Sequence, residues 1–141
     1  MAGMEGLGRL LDVIPIAAGQ GFKFRGASAV TFVCTGADTF TLTVASTYSG
    51  SYASPGNVLS HFYQRADTNA THAWTRQTQA ASNAVVQANA GYTTAFEVLT
   101  SFMSDPSAYL KVSAGGSGLV TAILHDLTVQ RKPANLEILG S

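Results

Sequence analysis

Charge is scarce in this sequence. Eight Lys and Arg balance eight Asp and Glu, together 11% of 141 residues, against roughly 25% in an average soluble domain. The only adjacent basic pair is Arg131–Lys132; Arg9, Lys23, Arg25, Arg65, Arg76 and Lys111 are scattered. Neutralising phosphates takes clustered cations, so nucleic acid is not an expected partner. Cysteine is nearly absent too. Cys34 stands alone, which excludes an internal disulfide and suits assembly in a reducing cytoplasm. It lies in the run Ala-Val-Thr-Phe-Val-Cys and is expected to be a buried, inert thiol. No apolar run approaches the roughly 20 residues that span a bilayer, so no membrane association is expected. The N-terminus lacks the basic start and continuous apolar stretch of a signal peptide. The acceptor-like triplet Asn69-Ala70-Thr71 is therefore read as chance.

What remains is apolar and small. Hydrophobic residues make up 46% of the chain, enough for one core in one domain of this length. The surface must be built largely from Thr, Ser, Asn, Gln, Gly and Ala. A formal net charge of zero leaves little repulsion between copies and favours association into a homo-oligomer or a multi-copy assembly.

Residues 1–15 read as an N-terminal arm. Met4, Leu7, Leu11 and Ile14 recur at roughly helical spacing, but Gly3, Gly6 and Gly8 weaken a helix and Pro15 ends one. Residues 16–131 read as a β-domain. Phe22–Arg25 and Val30–Cys34 alternate, and residues 38–46 alternate most clearly. There Phe40, Leu42 and Val44 are expected inside, with Thr39, Thr41 and Thr43 outside. Further strands are expected over Val58–Gln64, His72–Thr78, Ala84–Ala88, Thr93–Leu99, Tyr109–Ala114 and 119–131. Thr94–Met103 also fits a helical face, but Asp105-Pro106 favours a strand followed by a short irregular turn. Residues 119–131 are apolar on both faces, as in a central strand or one covered by a partner. Residues 132–141 form a C-terminal tail in which Leu136, Ile138 and Leu139 are too apolar to stay in water. The fold class expected is all-β: a single-domain antiparallel β-sandwich or β-barrel with extended N- and C-terminal arms.

Residue patterns that carry chemistry are few. His125 and Asp126 are adjacent, but neighbours on a strand point to opposite faces and do not share a proton directly. His61 and His72 flank a possible hairpin with only Asp67 nearby, a weak ligand set, so no metal and no cofactor are expected. Ser60-His61 is not a nucleophile elbow, because glycines do not flank the serine. Gly19-Gln-Gly21 and Gly115-Gly-Ser-Gly118 lack the Lys-Ser/Thr of a phosphate loop. The chain is expected not to be an enzyme. Tyr48 and Tyr52 sit in a Gly/Ser loop and are the better contact aromatics. Trp74, on an alternating segment, is expected in the core.

The stretch Ala29-Val-Thr-Phe-Val-Cys-Thr-Gly-Ala-Asp-Thr-Phe-Thr-Leu-Thr-Val-Ala45 and the ending Leu124-His-Asp-Leu-Thr-Val-Gln-Arg-Lys-Pro-Ala-Asn-Leu136 resemble small structural proteins of tailed-bacteriophage virions, notably head decoration (cement) proteins of actinobacterial phages. The resemblance implies many copies bound outside a capsid shell, with the major capsid protein and other copies as partners, a virion localisation and no catalysis. On that reading Met4, Leu7, Leu11, Ile14, Leu136, Ile138 and Leu139, with Tyr48 and Tyr52, are the partner-binding residues. Two other readings stay open: a phage tail or fibre module holding host-surface carbohydrate at the Tyr48–Tyr52 loop, and a small lipocalin-like barrel around an apolar ligand.

Overall fold

A computed structural model describes residues 11–16, 19–24, 26–66, 73–103 and 107–127. The strands are β1 (Leu11–Ile16), β2 (Phe22–Lys23), β3 (Ala27–Thr35), β4 (Asp38–Ala45), β5 (Leu59–Ala66), β6 (Thr75–Ser82), β7 (Ala84–Gln87), β8 (Tyr92–Leu99), β9 (Tyr109–Ala114) and β10 (Leu119–Leu127). They form two antiparallel sheets, one of six strands in the order β1-β10-β3-β8-β5-β6 and one of four in the order β2-β9-β4-β7. The expected all-β sandwich is what is found. A closed barrel is not, because each sheet of the described strands ends on open edges and the space between them is filled by side chains.

Alternation does most of this work. Val30, Phe32 and Cys34 on β3 face Val120, Ala122 and Leu124 on β10 in register, and all six are buried. Phe40, Leu42, Val44, Leu110 and Val112 supply the opposing layer from the four-stranded sheet. Phe32 ties the layers together, 5.9 Å from Phe22 and 5.2 Å from Phe96 between ring centroids. Thr39 is exposed and Thr41 and Thr43 half-buried on the outer side, as expected. Cys34 is fully buried, and that burial pushes its thiol pKa up to about 12. It is a small apolar core residue rather than a nucleophile.

The N-terminal boundary differs from the sequence reading. Leu11 and Ile14 belong not to an arm but to β1, which pairs along β10 from Leu11↔His125 to Ile16↔Val120. Ile14 packs against the core and Leu11 is half-buried on the outer face. An edge ladder satisfies backbone groups that a glycine-weakened helix would have to satisfy alone. Met4, Leu7, Leu136, Ile138 and Leu139 lie outside the described residues, as do Asp67 and His72. After β8 the chain makes a single 3₁₀ turn at Thr100–Phe102, matching the expected strand and short turn.

Two polar devices position the strands, and neither is apparent from sequence pattern. The Asp38 carboxylate accepts backbone N–H bonds from Thr39, Gly115, Gly116 and Gly118 at 2.8–3.0 Å. These bonds, led by that from Gly118, hold its pKa below the ordinary carboxylate value. A Cβ on Gly118 would meet the Phe40 ring at 2.8 Å, so only glycine lets the β9–β10 turn close over Asp38. Between the sheets, buried Gln87 donates to the carbonyls of Gly36 and Tyr92, both at 2.8 Å, and accepts from Thr94. Thr94 in turn accepts from Gln64 at 3.1 Å. The chain Gln64–Thr94–Gln87 thus joins β5 and β8 of one sheet to β7 of the other.

Candidate functional site

Strand alternation places a second set of side chains on the outside of each sheet, and the two outer faces differ. On the six-stranded sheet, cross-strand register sets Leu11 beside His125, Val13 beside Ile123, and Val33 beside Ala95. Ala95 is followed by Tyr63 on β5. Leu99 and Leu119 lie on the same side. Val13, Tyr63 and Leu119 are exposed at 44%, 41% and 67%. Nothing in the local sequence demands aliphatic groups at solvent-facing strand positions, where Thr would serve. The four-stranded sheet does use Thr: Thr39, Thr41 and Thr43 with Ser113 and Lys111, and Val86 at its edge.

A cleft of about 150 Å³ opens in the first face, lined by Thr31, His61, Phe62, Tyr63, Ala95, Phe96 and Glu97. Its origin is a fork between strands. β5 pairs with β8 only from Tyr63↔Ala95 to Ala66↔Tyr92, and β5 shifts register against β6 between Leu59 and His61. Beyond Tyr63 the two strands diverge, and the cleft fills the gap. The His61 ring stands edge-on to Tyr63, with centroids 6.2 Å apart. Beside the cleft, His125 Nε2 lies 3.0 Å from the Thr31 hydroxyl and 3.6 Å from the Glu97 carboxylate.

His125 and Asp126 do meet, contrary to the expectation from strand alternation. Asp126 has φ of +55°, and its carboxylate sits 3.5 Å from His125 Nδ1. The left-handed residue breaks the alternation, which also lets Leu127 pack against the core. The imidazole therefore lies between two carboxylates. Its hydrogen-bonding and charged neighbours are the Thr31 hydroxyl and the Glu97 carboxylate at Nε2 and the Asp126 carboxylate at Nδ1. Among the described residues no group of three His, Cys, Asp or Glu side chains is placed to hold a metal ion. The arrangement can orient a hydrogen-bonding partner.

Tyr48 and Tyr52 lie over the four-stranded sheet. The Tyr52 hydroxyl donates to the Tyr48 carbonyl at 3.0 Å, and Lys111 Nζ sits 4.2 Å from its ring centroid. Tyr52 also occupies the space where a side chain at residue 21 would go. Burial pushes its phenol pKa up. Its polar tip is thus committed within the fold, whereas Tyr48, edge-on to Tyr109 at 6.1 Å, keeps 38% of its surface exposed. The two residues come together, but only Tyr48 presents an open ring. Trp74 is a correction: it is 45% exposed rather than in the core, because β6 begins at Thr75 and leaves Trp74 ahead of it, under the Arg65 guanidinium at 5.1 Å. Sequence reasoning missed Glu97 as a neighbour of His125, since strand register alone brings them together; it missed Tyr63 beside His61 although two residues apart on one strand share a face.

Neither a family model, nor a curated protein, nor a solved structure matches this chain.

Proposed function

We propose that the chain is a non-enzymatic structural protein of a tailed-phage virion, which binds an assembled capsid shell as a head decoration protein and stabilises it. The observation that carries this reading is the aliphatic outer face of the six-stranded sheet, with Val13, Ile123, Val33 and Leu119 turned away from the core. Burying such side chains against a partner contributes roughly 1.5–3 kcal/mol each before ordering costs. A ligand that prefers the assembled shell to free subunits stabilises the shell by linkage. Low charge and zero formal net charge also support a multi-copy setting.

The test is co-fractionation. In cells producing particles, the chain is expected to sediment with capsid shells and to leave them when Val13 and Leu119 are both changed to Glu. Recovery only as a free protein would overturn the reading. A second reading, a tail or fibre module that holds host-surface carbohydrate, is favoured by one observation: the cleft combines a carboxylate, an imidazole and an exposed phenol, with no cation among its lining residues. Saturable binding to immobilised glycans, lost in Tyr63→Ala, would select it over the decoration role.

A further inference from the structure

We propose that the corner of the six-stranded sheet formed by Trp74, Arg65, Tyr63 and Arg76 docks an acidic segment of a protein partner, one in which Asp or Glu side chains are bordered by apolar ones. The inference rests on the decoration reading only in taking a protein to cover this face, and it adds the chemistry that the protein presents there.

Register builds the corner. Tyr63 on β5 lies opposite Arg76 on β6, and Gln64 opposite Thr75. Tyr63 and Arg76 therefore share the outer face, and Arg65, two residues beyond Tyr63, joins them. Arg65 and Arg76 are diagonal neighbours, roughly 7–8 Å apart along the backbone. The Arg65 guanidinium lies over the Trp74 ring at 5.1 Å. Trp74, Tyr63 and Arg76 are all exposed. Neither β5 nor β6 carries an acid. Among the described residues the ion pairs involve His125 and neither arginine. Arg65 Nε is also buried without a hydrogen-bond acceptor. Two guanidiniums this close repel each other, and an anion between them turns that repulsion into attraction.

The neighbours decide which anion. A guanidinium is a planar fork that matches a carboxylate. Two cations are too few to track a nucleic-acid backbone. From Arg76 the outer face continues as a row through Tyr63, Ala95 and Val33, which stand opposite one another on β5, β8 and β3. An acid docked at the corner brings its own neighbours down onto this row, so those neighbours must be apolar. A protein segment supplies both parts and a free anion supplies one. Trp, Tyr and Arg are also the residue types in which binding energy concentrates at protein interfaces.

Trp74 is the only tryptophan in the chain, so fluorescence of the full chain reports on the corner directly. The probe is a capped peptide of alternating Glu and Leu, with a Gln–Leu peptide as the control. At low ionic strength a saturable change is expected with the Glu–Leu peptide alone, fading as salt is added. Arg76→Glu, at an exposed position, is expected to weaken binding at least about fivefold. Thr39→Glu with Val86→Glu makes the same change in net charge on the other sheet and is expected to leave binding unchanged. No response to the Glu–Leu peptide, an equal response to the Gln–Leu peptide, or full affinity in Arg76→Glu would each overturn the inference. So would a response to anionic phospholipid vesicles without one to the peptide. The decoration reading is tested apart from this: peptide binding without attachment to purified shells overturns that reading and leaves the inference standing. Shells that bind the parent and Arg76→Glu equally, with no peptide response, overturn the inference and leave the decoration reading standing.

Discussion

The two outer faces of the sandwich are built on the same pleat and read oppositely. On β4, the outward positions hold Thr39, Thr41 and Thr43, the first exposed and the other two half-buried. On β10, the same positions hold Leu119, Thr121, Ile123 and His125, and the neighbouring strands add Val13 and Val33. Both strands bury the same kind of inner side chain, so the core does not explain the difference. A solvated sheet face satisfied by Thr has no use for Leu119 at 67% exposure. The contrast supports assigning the proposed binding role to the six-stranded sheet, and the lesson is that exposed strand positions are more informative about function than buried ones.

Four measurements put this contrast at risk. The largest effect separates inner from outer residues on one strand. Phe32→Ala, at the contact between the layers, is expected to lose roughly 3–5 kcal/mol in urea unfolding. Its neighbour Val33→Ala, on the outer face, is expected to lose under about 1 kcal/mol. Comparable losses would mean that the outer face is already covered within the molecule.

Next comes the link between the sheets. Gln87→Leu removes the donor to the Gly36 and Tyr92 carbonyls and the acceptor for Thr94. Each buried group left without a partner costs roughly 1–3 kcal/mol. The expected result is a lower unfolding midpoint with an unchanged β-type circular dichroism spectrum. A variant as stable as the parent would show that the buried polar chain is dispensable.

The faces themselves are compared by matched charge insertions. Val13→Glu with Leu119→Glu is expected to weaken attachment to purified shells at least tenfold, about 1.4 kcal/mol or more. Thr39→Glu with Val86→Glu, on the four-stranded sheet, is expected to change it by less than about twofold. Equal effects from both pairs would remove the distinction between the faces.

The smallest effect concerns pH. Asp38 is hydrogen-bonded as a carboxylate and its pKa is lowered from 3.8. Such a group adds stability that is complete above its unfolded value and is lost as pH falls from there through the folded value. Thermal unfolding of the parent chain is therefore expected to weaken below pH 3.8. Asp38→Asn should melt earlier at neutral pH and lose less of its melting temperature on acidification. Parallel pH profiles for the two proteins would show that the carboxylate does not hold the turn.

The all-β class, the burial of Phe40, Leu42 and Val44, the Thr coat of β4 and the inert Cys34 are legible in the amino-acid sequence alone, whereas the choice of a sandwich over a barrel is not. Each depends on a period of two within one short segment, which the pleat converts directly into two faces. The helical spacing of Met4, Leu7, Leu11 and Ile14 misleads over Leu11 and Ile14, because ladder bonds to β10 outweigh a weak local preference. Trp74 misleads for a related reason: alternation does not say where a strand begins. Which sheet a strand joins is a non-local matter. β6 and β7 are separated by Asn83 alone yet lie in different sheets, because Asn83 bonds Leu42 through both its backbone carbonyl and its side-chain amide. The meeting of His125 with Glu97 and Thr31, the fork between β5 and β8, and Lys111 over Tyr52 all arise from strand register between distant segments. Local pattern determined which residues face inward; only the pairing of strands, chosen by the whole core at once, decided which outward residues became neighbours.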